Sequence, residues 1–291
     1  MAVMEFHLFL PQMRLSFDDL VTRARTAETA GFTGIAGMDH LTPPLAADRP
    51  MYEAIVTTAV LAACTERIHV GSLVLCDAFR HPAVLARQAV SIDHASGGRF
   101  ELGIGWGSVP DELAAFGIGS TEARERVDRL RETLEVMRAL WTGDVVDYDG
   151  RYHRLHGAQQ QPRPLVHIPI VIGGTGRKTL ALVREFADWW NVHVGKLDEL
   201  DDLRSHVGDA RVSIQEMVAF VPRVGDRDAI AALAQRRFGY ADPVIGTGAE
   251  LVEHYTRLAE RGIERVYAWF CDFAPPETLA MFGDEVISPL R

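Results

Sequence analysis

The chain has 291 residues, of which 47% are hydrophobic and 24% are charged, a composition typical of a globular protein with a large core. Its net charge of −10 argues against a nucleic-acid-binding or anionic-membrane surface. No stretch approaches the ~20 apolar residues of a membrane span, and the first residues do not resemble a signal peptide. The three cysteines, Cys64, Cys76 and Cys271, form no disulfide or CxxC pattern, so we expect a reducing, cytoplasmic setting.

Strand-like and helix-like segments alternate along the whole chain. Apolar and β-branched runs predict strands at 4–10, 33–37, 68–75, 99–105, 168–172, 188–192, 212–220 and 264–270. Helices are predicted at 17–30, 51–64, 82–95, 121–142, 175–187, 198–207, 226–237, 248–261 and 276–286. Strand–helix alternation indicates a parallel sheet with crossover helices. Eight such units predict one domain over residues 1–291, an α/β (β/α)8 TIM barrel.

Local signals support the predicted helices, and two segments interrupt the regular pattern. Thr247 followed by Glu250 is a capping box at the start of the 248–261 helix, and Gly31 and Gly262 stand where glycines end helices. Residues 143–167 have no clear period and are interpreted as an insertion before the fifth strand. The loop 38–50 is long for a connection from strand to helix.

The second predicted strand ends in Asp39 and His40. Active sites of TIM barrels lie at the carboxyl ends of the strands, where a neighbouring carboxylate can tune a histidine as an acid or a base. The alternative is that Asp39 caps the next turn and His40 is exposed.

Glycines at period two mark the fourth predicted strand. Gly103, Gly105 and Gly107 leave one face of the strand open to a flat ring or to another backbone, and Trp106 is placed to form a wall for an aromatic ligand. The alternative is close packing inside a narrow barrel.

The segment Gly173-Gly174-Thr175-Gly176-Arg177-Lys178 follows the fifth predicted strand and precedes a helix. Glycines let several backbone N–H groups face one anion, and the helix dipole and the two cations add to the attraction. We therefore interpret the segment as a phosphate-binding loop. It lacks the Walker A pattern and the third glycine of a dinucleotide fingerprint. A glycine-rich turn without a ligand is the alternative.

Three histidines, His153, His156 and His167, lie in the insertion. Because the insertion has no helical frame to aim them at one ion, we expect no metal site there.

Several further motifs occur in the order found in the luciferase-like monooxygenase and reductase family, which the chain resembles over nearly its whole length. The matching segments are 30–32 with 39–40, 65–74, 80–82, 96–105, 124–134, 169–176, 187–191 and 246–266. The resemblance implies a TIM-type barrel with an insertion, no metal, a homodimer, and FMN or the deazaflavin coenzyme F420 as cofactor.

The resemblance also implies roles for individual residues. Asp39 and His40 match the acid–histidine pair beside the reactive ring, in catalysis and cofactor binding. The segment Ser72-Leu73, followed by Leu75, matches a bulged strand under the ring that often contains a non-prolyl cis peptide bond. Trp106 and Gly107 match residues that contact the ring or the ribityl chain of the cofactor. The phosphate loop of the family corresponds to Gly173, Gly174, Thr175 and Gly176.

Three positions depart from the family pattern. Leu75 and Cys76 stand where a threonine or a proline often occurs. Ser108 stands where some deazaflavin dehydrogenases carry a catalytic glutamate, and Glu112 lies nearby. Glu112, Trp106 and Asn191 are the candidate substrate contacts.

Short chains with this Asp-His pair resemble the deazaflavin branch. The expected function is therefore hydride transfer between F420 and a small organic substrate, and the alternative is an FMN-dependent monooxygenase. A non-catalytic flavin-binding accessory protein would keep the glycine loop without needing the Asp-His pair. A metal- or lysine-dependent hydrolase or aldolase is disfavoured because neither lysine, Lys178 or Lys196, lies in an obvious apolar pocket. Substrate contacts are expected from loops 38–50, 143–167 and 271–276.

Overall fold

Eight parallel strands close into a barrel within the part of the chain that the computed structural model describes, residues 4–44, 46, 48–120 and 122–291. The barrel strands are β1 (Glu5–Phe9), β2 (Gly34–Gly37), β3 (His69–Ser72), β5 (Phe100–Gly105), β8 (Ile170–Gly173), β9 (Trp189–His193), β10 (Arg211–Phe220) and β12 (Arg265–Phe270). Each strand pairs with the next in this order, and β12 pairs with β1 to close the ring. The predicted (β/α)8 barrel is confirmed.

Helices surround the barrel. They are α1 (Phe17–Ala30), α2 (Ala54–Cys64), α3 (Pro82–Ser96), α4 (Pro110–Ala115), α5 (Ala123–Trp141), α6 (Arg177–Phe186), α7 (Leu200–Arg204), α8 (Arg227–Phe238), α9 (Gly248–Glu260) and α10 (Pro276–Phe282). Among the helices of the described segments, none has the length and apolar character needed to cross a bilayer.

A hairpin, two short strands and a short helix go beyond the sequence-based prediction. The strands β6 (Val146–Asp149) and β7 (Arg154–Ala158) form an antiparallel hairpin within the predicted insertion, so that segment is partly ordered sheet. The short strands β4 (Leu75–Cys76) and β11 (Val244–Gly246) extend the sheet beside β5 and β10. The short helix is α4, where Pro110 occupies the first turn together with two acidic residues. These are ordinary start signals of a helix, so the sequence did contain a sign of α4.

Helix ends follow the predicted capping chemistry. Thr247 and Glu250 form the predicted capping box at the start of α9, and Gly31 ends α1 in the left-handed conformation with φ +94°. The segment predicted as helix 51–64 begins only at Ala54, because the Glu53 side chain caps it and Met51 pairs with Met13 in an isolated bridge.

A buried ion network closes the amino-terminal end of the barrel. Arg265 of β12 donates to both oxygens of Glu101 on β5, at 2.7 and 3.1 Å, and also bonds Glu5. Burial alone would raise the pKa of Glu101, but the charge of Arg265 holds it well below its ordinary value. The Arg265 guanidinium also lies 3.7 Å from the ring centre of Trp189. Because β1, β5, β9 and β12 all contribute, the network ties opposite sides of the barrel together.

Strands β3 and β5 approach unusually closely at Gly103. A Cβ atom at this position would lie 1.8 Å from the backbone oxygen of Ser72, so only glycine fits. At Gly103, therefore, the missing side chain lets two backbones pack together. This agrees with the alternative interpretation of the glycine pattern, close packing inside a narrow barrel.

We predict that Gly103→Ala destabilises the protein strongly, by about 3 kcal/mol or more, because an overpacked strand must shift a backbone rather than a side chain. Gly225→Ala is the matched control, since a Cβ atom there meets nothing within 4 Å. Urea unfolding followed by circular dichroism measures both variants. Equal midpoints for the two variants would contradict the close contact of β3 and β5.

Candidate active site

A cavity of about 310 Å³ opens where β2, β3, β5 and β8 end. Nine of the residues singled out in the sequence line it: Asp39, His40, Leu73, Leu75, Trp106, Gly107, Glu112, Gly173 and Gly174. The structure therefore brings together segments that lie up to 135 positions apart in the sequence.

Four of the predicted site residues lie outside the lining of this cavity. Ser72 faces a small space inside the barrel, and Asn191 lines a neighbouring cavity of about 620 Å³ that shares Gly173 and Gly174 with the first. Thr175 and Gly176 continue the glycine loop toward α6. A cofactor that reaches them must therefore extend from the central cavity along the loop.

The imidazole of His40 is paired with the carboxylate of Glu112. His40 Nδ1 lies 2.9 Å from Glu112 Oε2, and the Glu112 side chain is only 8% exposed. Because an ionised carboxylate only accepts hydrogen bonds, Nδ1 carries the proton. Nε2 of the neutral ring is then an acceptor.

Glu112 also holds the loop that carries His40. Its Oε1 accepts the backbone N–H groups of Leu41 and Thr42, at 2.7 and 2.9 Å. One carboxylate on α4 thus fixes both the ring of His40 and the backbone that follows it. Sequence reasoning placed Glu112 near the site without a contact, because α4 itself was not predicted.

Asp39 does not orient His40, and that part of the sequence-based hypothesis is wrong. The Asp39 carboxylate is 5% exposed and accepts two bonds from Arg80, at 2.5 and 3.0 Å, and one from the backbone N–H of Cys76, at 2.8 Å. A buried carboxylate needs a permanent cation and several donors, which a neutral imidazole does not supply. Asp39 therefore ties the end of β2 to the segment after β3.

Arg80 is the site residue that sequence reasoning missed. Its Nη2, which donates to Asp39, also donates to Glu53, the N-cap of α2, so that one guanidinium joins two carboxylates. A buried Asp39 requires a counter-charge, and Arg80 follows β3, the strand that pairs with β2. From these two facts, Arg80 could have been predicted as the partner of Asp39.

The segment after β3 and the end of β5 form an apolar part of the cavity wall. The peptide bond between Leu73 and Val74 is cis, one residue beyond the segment that the resemblance marked. A Cβ atom on Gly105 would lie 2.8 Å from Val74 Cγ2, and one on Gly107 would lie 2.9 Å from Cys76 Sγ. The glycines at the end of β5 and in the turn after it therefore let the side chains of Val74 and Cys76 pack closely against this strand.

The glycine loop has one position that requires glycine. Gly174 has φ +119°, donates its N–H to Asn191 O at 3.2 Å and accepts from Trp190 Nε1 at 2.9 Å. Gly176, by contrast, caps α6 with φ −67°, which other residues adopt readily. The expectation that Lys178 adds its charge to this loop is wrong, because it pairs with Asp128 on α5.

The histidines of the insertion have separate partners. His153 Nε2 lies 3.0 Å from Thr133 Oγ1, and His167 Nε2 lies 2.8 Å from Asp188 Oδ1. Across residues 4–44, 46, 48–120 and 122–291, no three potential ligands come together for a metal ion.

The sequence profile of the family described as luciferase-like monooxygenase matches residues 4–266. The chain belongs to the luciferase-like family. Its match covers all eight barrel strands except the carboxyl end of β12, together with every cavity residue named above.

Two relatives and one solved structure place this luciferase-like chain more closely. It is 27% identical to the F420-dependent glucose-6-phosphate dehydrogenase of Microbacterium testaceum over 91% of each chain. It is 34% identical to the enzyme of the same name from Nocardia farcinica, over 76% of this chain and 68% of that one. An F420-dependent secondary alcohol dehydrogenase in complex with an F420–acetone adduct superposes with a TM-score of 0.84, at 18% identity and 99% coverage of both chains. That structure shares the barrel fold.

The residues of the cavity fit a flavin-type ring with a phosphate-bearing side chain. Leu73, Val74 and Trp106 line the cavity of about 310 Å³, and Gly174, which also lines it, leads toward the first turn of α6. The first N–H groups of a helix have no acceptor within the helix and attract an anion.

We predict that Glu112→Gln changes the tautomer of His40. The glutamine carbonyl can still accept from the loop, but its amide then faces Nδ1 as a donor, so the ring proton moves to Nε2. Nitrogen-15 NMR of labelled histidine measures which ring nitrogen is protonated. His254, which pairs with Glu216 through Nε2, is the internal reference and should not change. An unchanged His40 signal would show that Glu112 does not set the tautomer.

Proposed function

We propose that this chain is an oxidoreductase that transfers hydride between coenzyme F420 and a small organic substrate. The observation that carries the proposal is the His40–Glu112 pair at a cavity whose far side leads into the glycine loop. The identity of 27% and 34% to enzymes named as F420-dependent dehydrogenases supports F420 as the cofactor.

A deazaflavin held by Leu73, Trp106 and Gly174 would supply the hydride-transfer chemistry of the proposed reaction. His40 takes up, through Nε2, the proton that leaves the substrate together with the hydride, and returns it in the reverse direction. Glu112 keeps the ring in the tautomer whose free nitrogen is Nε2, and stabilises the ring when it is protonated. Asp39 and Arg80 hold the loop that carries His40, while the apolar wall at Leu73 and Trp106 excludes water.

An FMN-dependent monooxygenase is the second candidate, since the family description itself names monooxygenases. A flavin phosphate would use the same loop, so the two cofactors differ here mainly at the ring. A non-catalytic flavin-binding protein fits the site less well, because such a protein has no need of a buried carboxylate to fix the tautomer of His40.

We also propose that residues 1–291 act as one luciferase-like domain, with the insertion near 143–167, in the cytoplasm and as a homodimer. The three cysteines are free thiols, which is consistent with a reducing compartment. The dimer rests on the family resemblance alone.

We predict that Gly174→Val weakens F420 binding by at least about tenfold, because valine strongly disfavours φ +119° and the loop must then change shape. Gly176→Ala is the matched control and should bind nearly normally, since its φ is −67° and the nearest side-chain atom lies 3.8 Å from the new Cβ. Titration of the cofactor's fluorescence gives both affinities. Normal binding by Gly174→Val would remove the glycine loop from the cofactor site.

We predict that His40→Ala lowers the rate of hydride transfer by roughly 10²–10⁴-fold, the usual effect of removing a general acid or base. The affinity for F420 should change much less. Single-turnover reaction of the bound cofactor with an accepted substrate, followed across pH, measures the rate.

The variant Glu112→Gln tests whether the pair acts as a unit. If it does, the double variant His40→Ala/Glu112→Gln is no slower than His40→Ala alone. An unchanged rate in His40→Ala would exclude the histidine from the chemistry and leave it a structural role only.

A further inference from the structure

A third cavity, of about 560 Å³, lies on the carboxyl-end face of the barrel, in the size range of sites for small molecules. The loops after β1, β2 and β12 and the end of α8 form its walls. We call it the arginine pocket, and its lining residues are Met13, Arg14, Pro44, Ala46, Arg236, Arg237, Phe238, Tyr240, Trp269 and Phe273.

Three guanidinium groups line the arginine pocket without a neutralising carboxylate. Within the described residues, no carboxylate oxygen lies within 4.0 Å of the side chains of Arg14, Arg236 or Arg237, in a chain that has 40 acidic residues against 30 basic ones. Burial is the main cause that lowers the pKa of Arg237; Cys271 and Asp272 oppose this shift, and repulsion from Arg236 and Arg14 adds to it. Asp272, whose charge acts on Arg237, accepts hydrogen bonds from the backbone N–H of Ala274 and from the Thr278 hydroxyl of α10. The pocket therefore carries a positive charge that an anion would compensate.

The remaining walls of the pocket are aromatic and apolar. Phe238 is buried and meets Trp269 at 4.9 Å between ring centres, and the Arg237 guanidinium lies 4.9 Å from the ring centre of Phe273. The hydroxyl groups of a sugar would find few partners on such walls and would lose their bonds to water. The walls favour a ligand whose body is apolar.

The backbone around the pocket is strained. Two of its lining residues, Arg14 and Phe273, have φ values of +63° and +64°, and Ala274 follows with +53°. Non-glycine residues in the left-handed region cost free energy and cluster where a loop must present particular groups. The strain thus coincides with the two loops that place one arginine and one aromatic ring in the pocket.

One cluster of packed side chains connects the arginine pocket to the active-site cavity. Trp269 lines the pocket and packs against the cluster of Phe9, Ala36, Met38 and Tyr267, and Met38 also lines the active-site cavity. The loop that carries His40 continues to Pro44 in the wall of the pocket. The pocket is therefore joined to the active-site cavity by packed side chains and by the loop that carries His40.

We propose that the arginine pocket binds the anionic end, a carboxylate or a phosphate, of a substrate with an apolar body, and so selects the substrate. The selection of a substrate rests on the proposed function, whereas binding of the anion does not. Arginine is suited to the task because its planar fork bonds two oxygens of such a group at once.

Isothermal titration of the purified chain with benzoate, phenyl phosphate and the neutral benzamide tests the proposal. We expect saturable binding of at least one of the two anions, and binding of benzamide at least about tenfold weaker. The tighter of benzoate and phenyl phosphate identifies the anion. Glucose 6-phosphate should bind more weakly than phenyl phosphate, because its body is polar.

Arg14→Gln and Arg236→Gln should each weaken binding of the preferred anion about tenfold. Arg184→Gln on α6 changes the net charge equally, lies outside the pocket and should have no effect. Arg237 is left unchanged, because it also bonds the backbone oxygen of Cys271 and its loss could disturb the fold. Thermal melts of all variants verify folding.

Equal affinity for benzamide and the anions, or unchanged affinity in both Arg14→Gln and Arg236→Gln, would overturn the proposal. The two proposals fail separately. If the anions bind with the expected pattern but F420 does not bind, the pocket stands and the proposed cofactor is wrong. If F420 binds and supports turnover while no anion binds, only the pocket is wrong.

Discussion

The buried charge of Asp39 is the constraint on which the geometry of the site depends. A carboxylate at 5% exposure is tolerated only with strong compensation, and Arg80 and the N–H of Cys76 supply it. These bonds join the ends of β2 and β3 and fix the start of the loop after β2. With Asp39 committed to Arg80, the next residue, His40, is free to pair with Glu112 of α4. Two acids therefore serve two functions, one holding the loop and the other setting the state of the imidazole.

Much of the fold could be predicted from the sequence, because each barrel strand and each long helix has its own apolar period and its own end signals. The missing elements are short. The strand β4 has two residues and α4 has six, which is too little for periodicity to show. Of these, α4 mattered most, because it carries Glu112 to the site.

The candidate site was predictable in its location but only partly in its connections. Asp39, His40 and Gly174 were found because barrel chemistry lies at strand ends and because anion loops need glycine. The partner of each acid was not predictable, since adjacency in sequence suggested Asp39 for His40. In three dimensions the partner is Glu112, 72 positions away. Pairings of that kind depend on how loops from different strands meet, which a single sequence does not specify.

The central claim is that the cavity at His40 is built for a deazaflavin, and parallel equilibrium titrations with F420 and FMN test it most directly. Both cofactors carry a phosphate for the glycine loop, so a difference in affinity shows which of the two the site as a whole prefers. The account predicts saturable binding of F420, at least about tenfold tighter than that of FMN. Tight binding of FMN together with weak or no binding of F420 would contradict it.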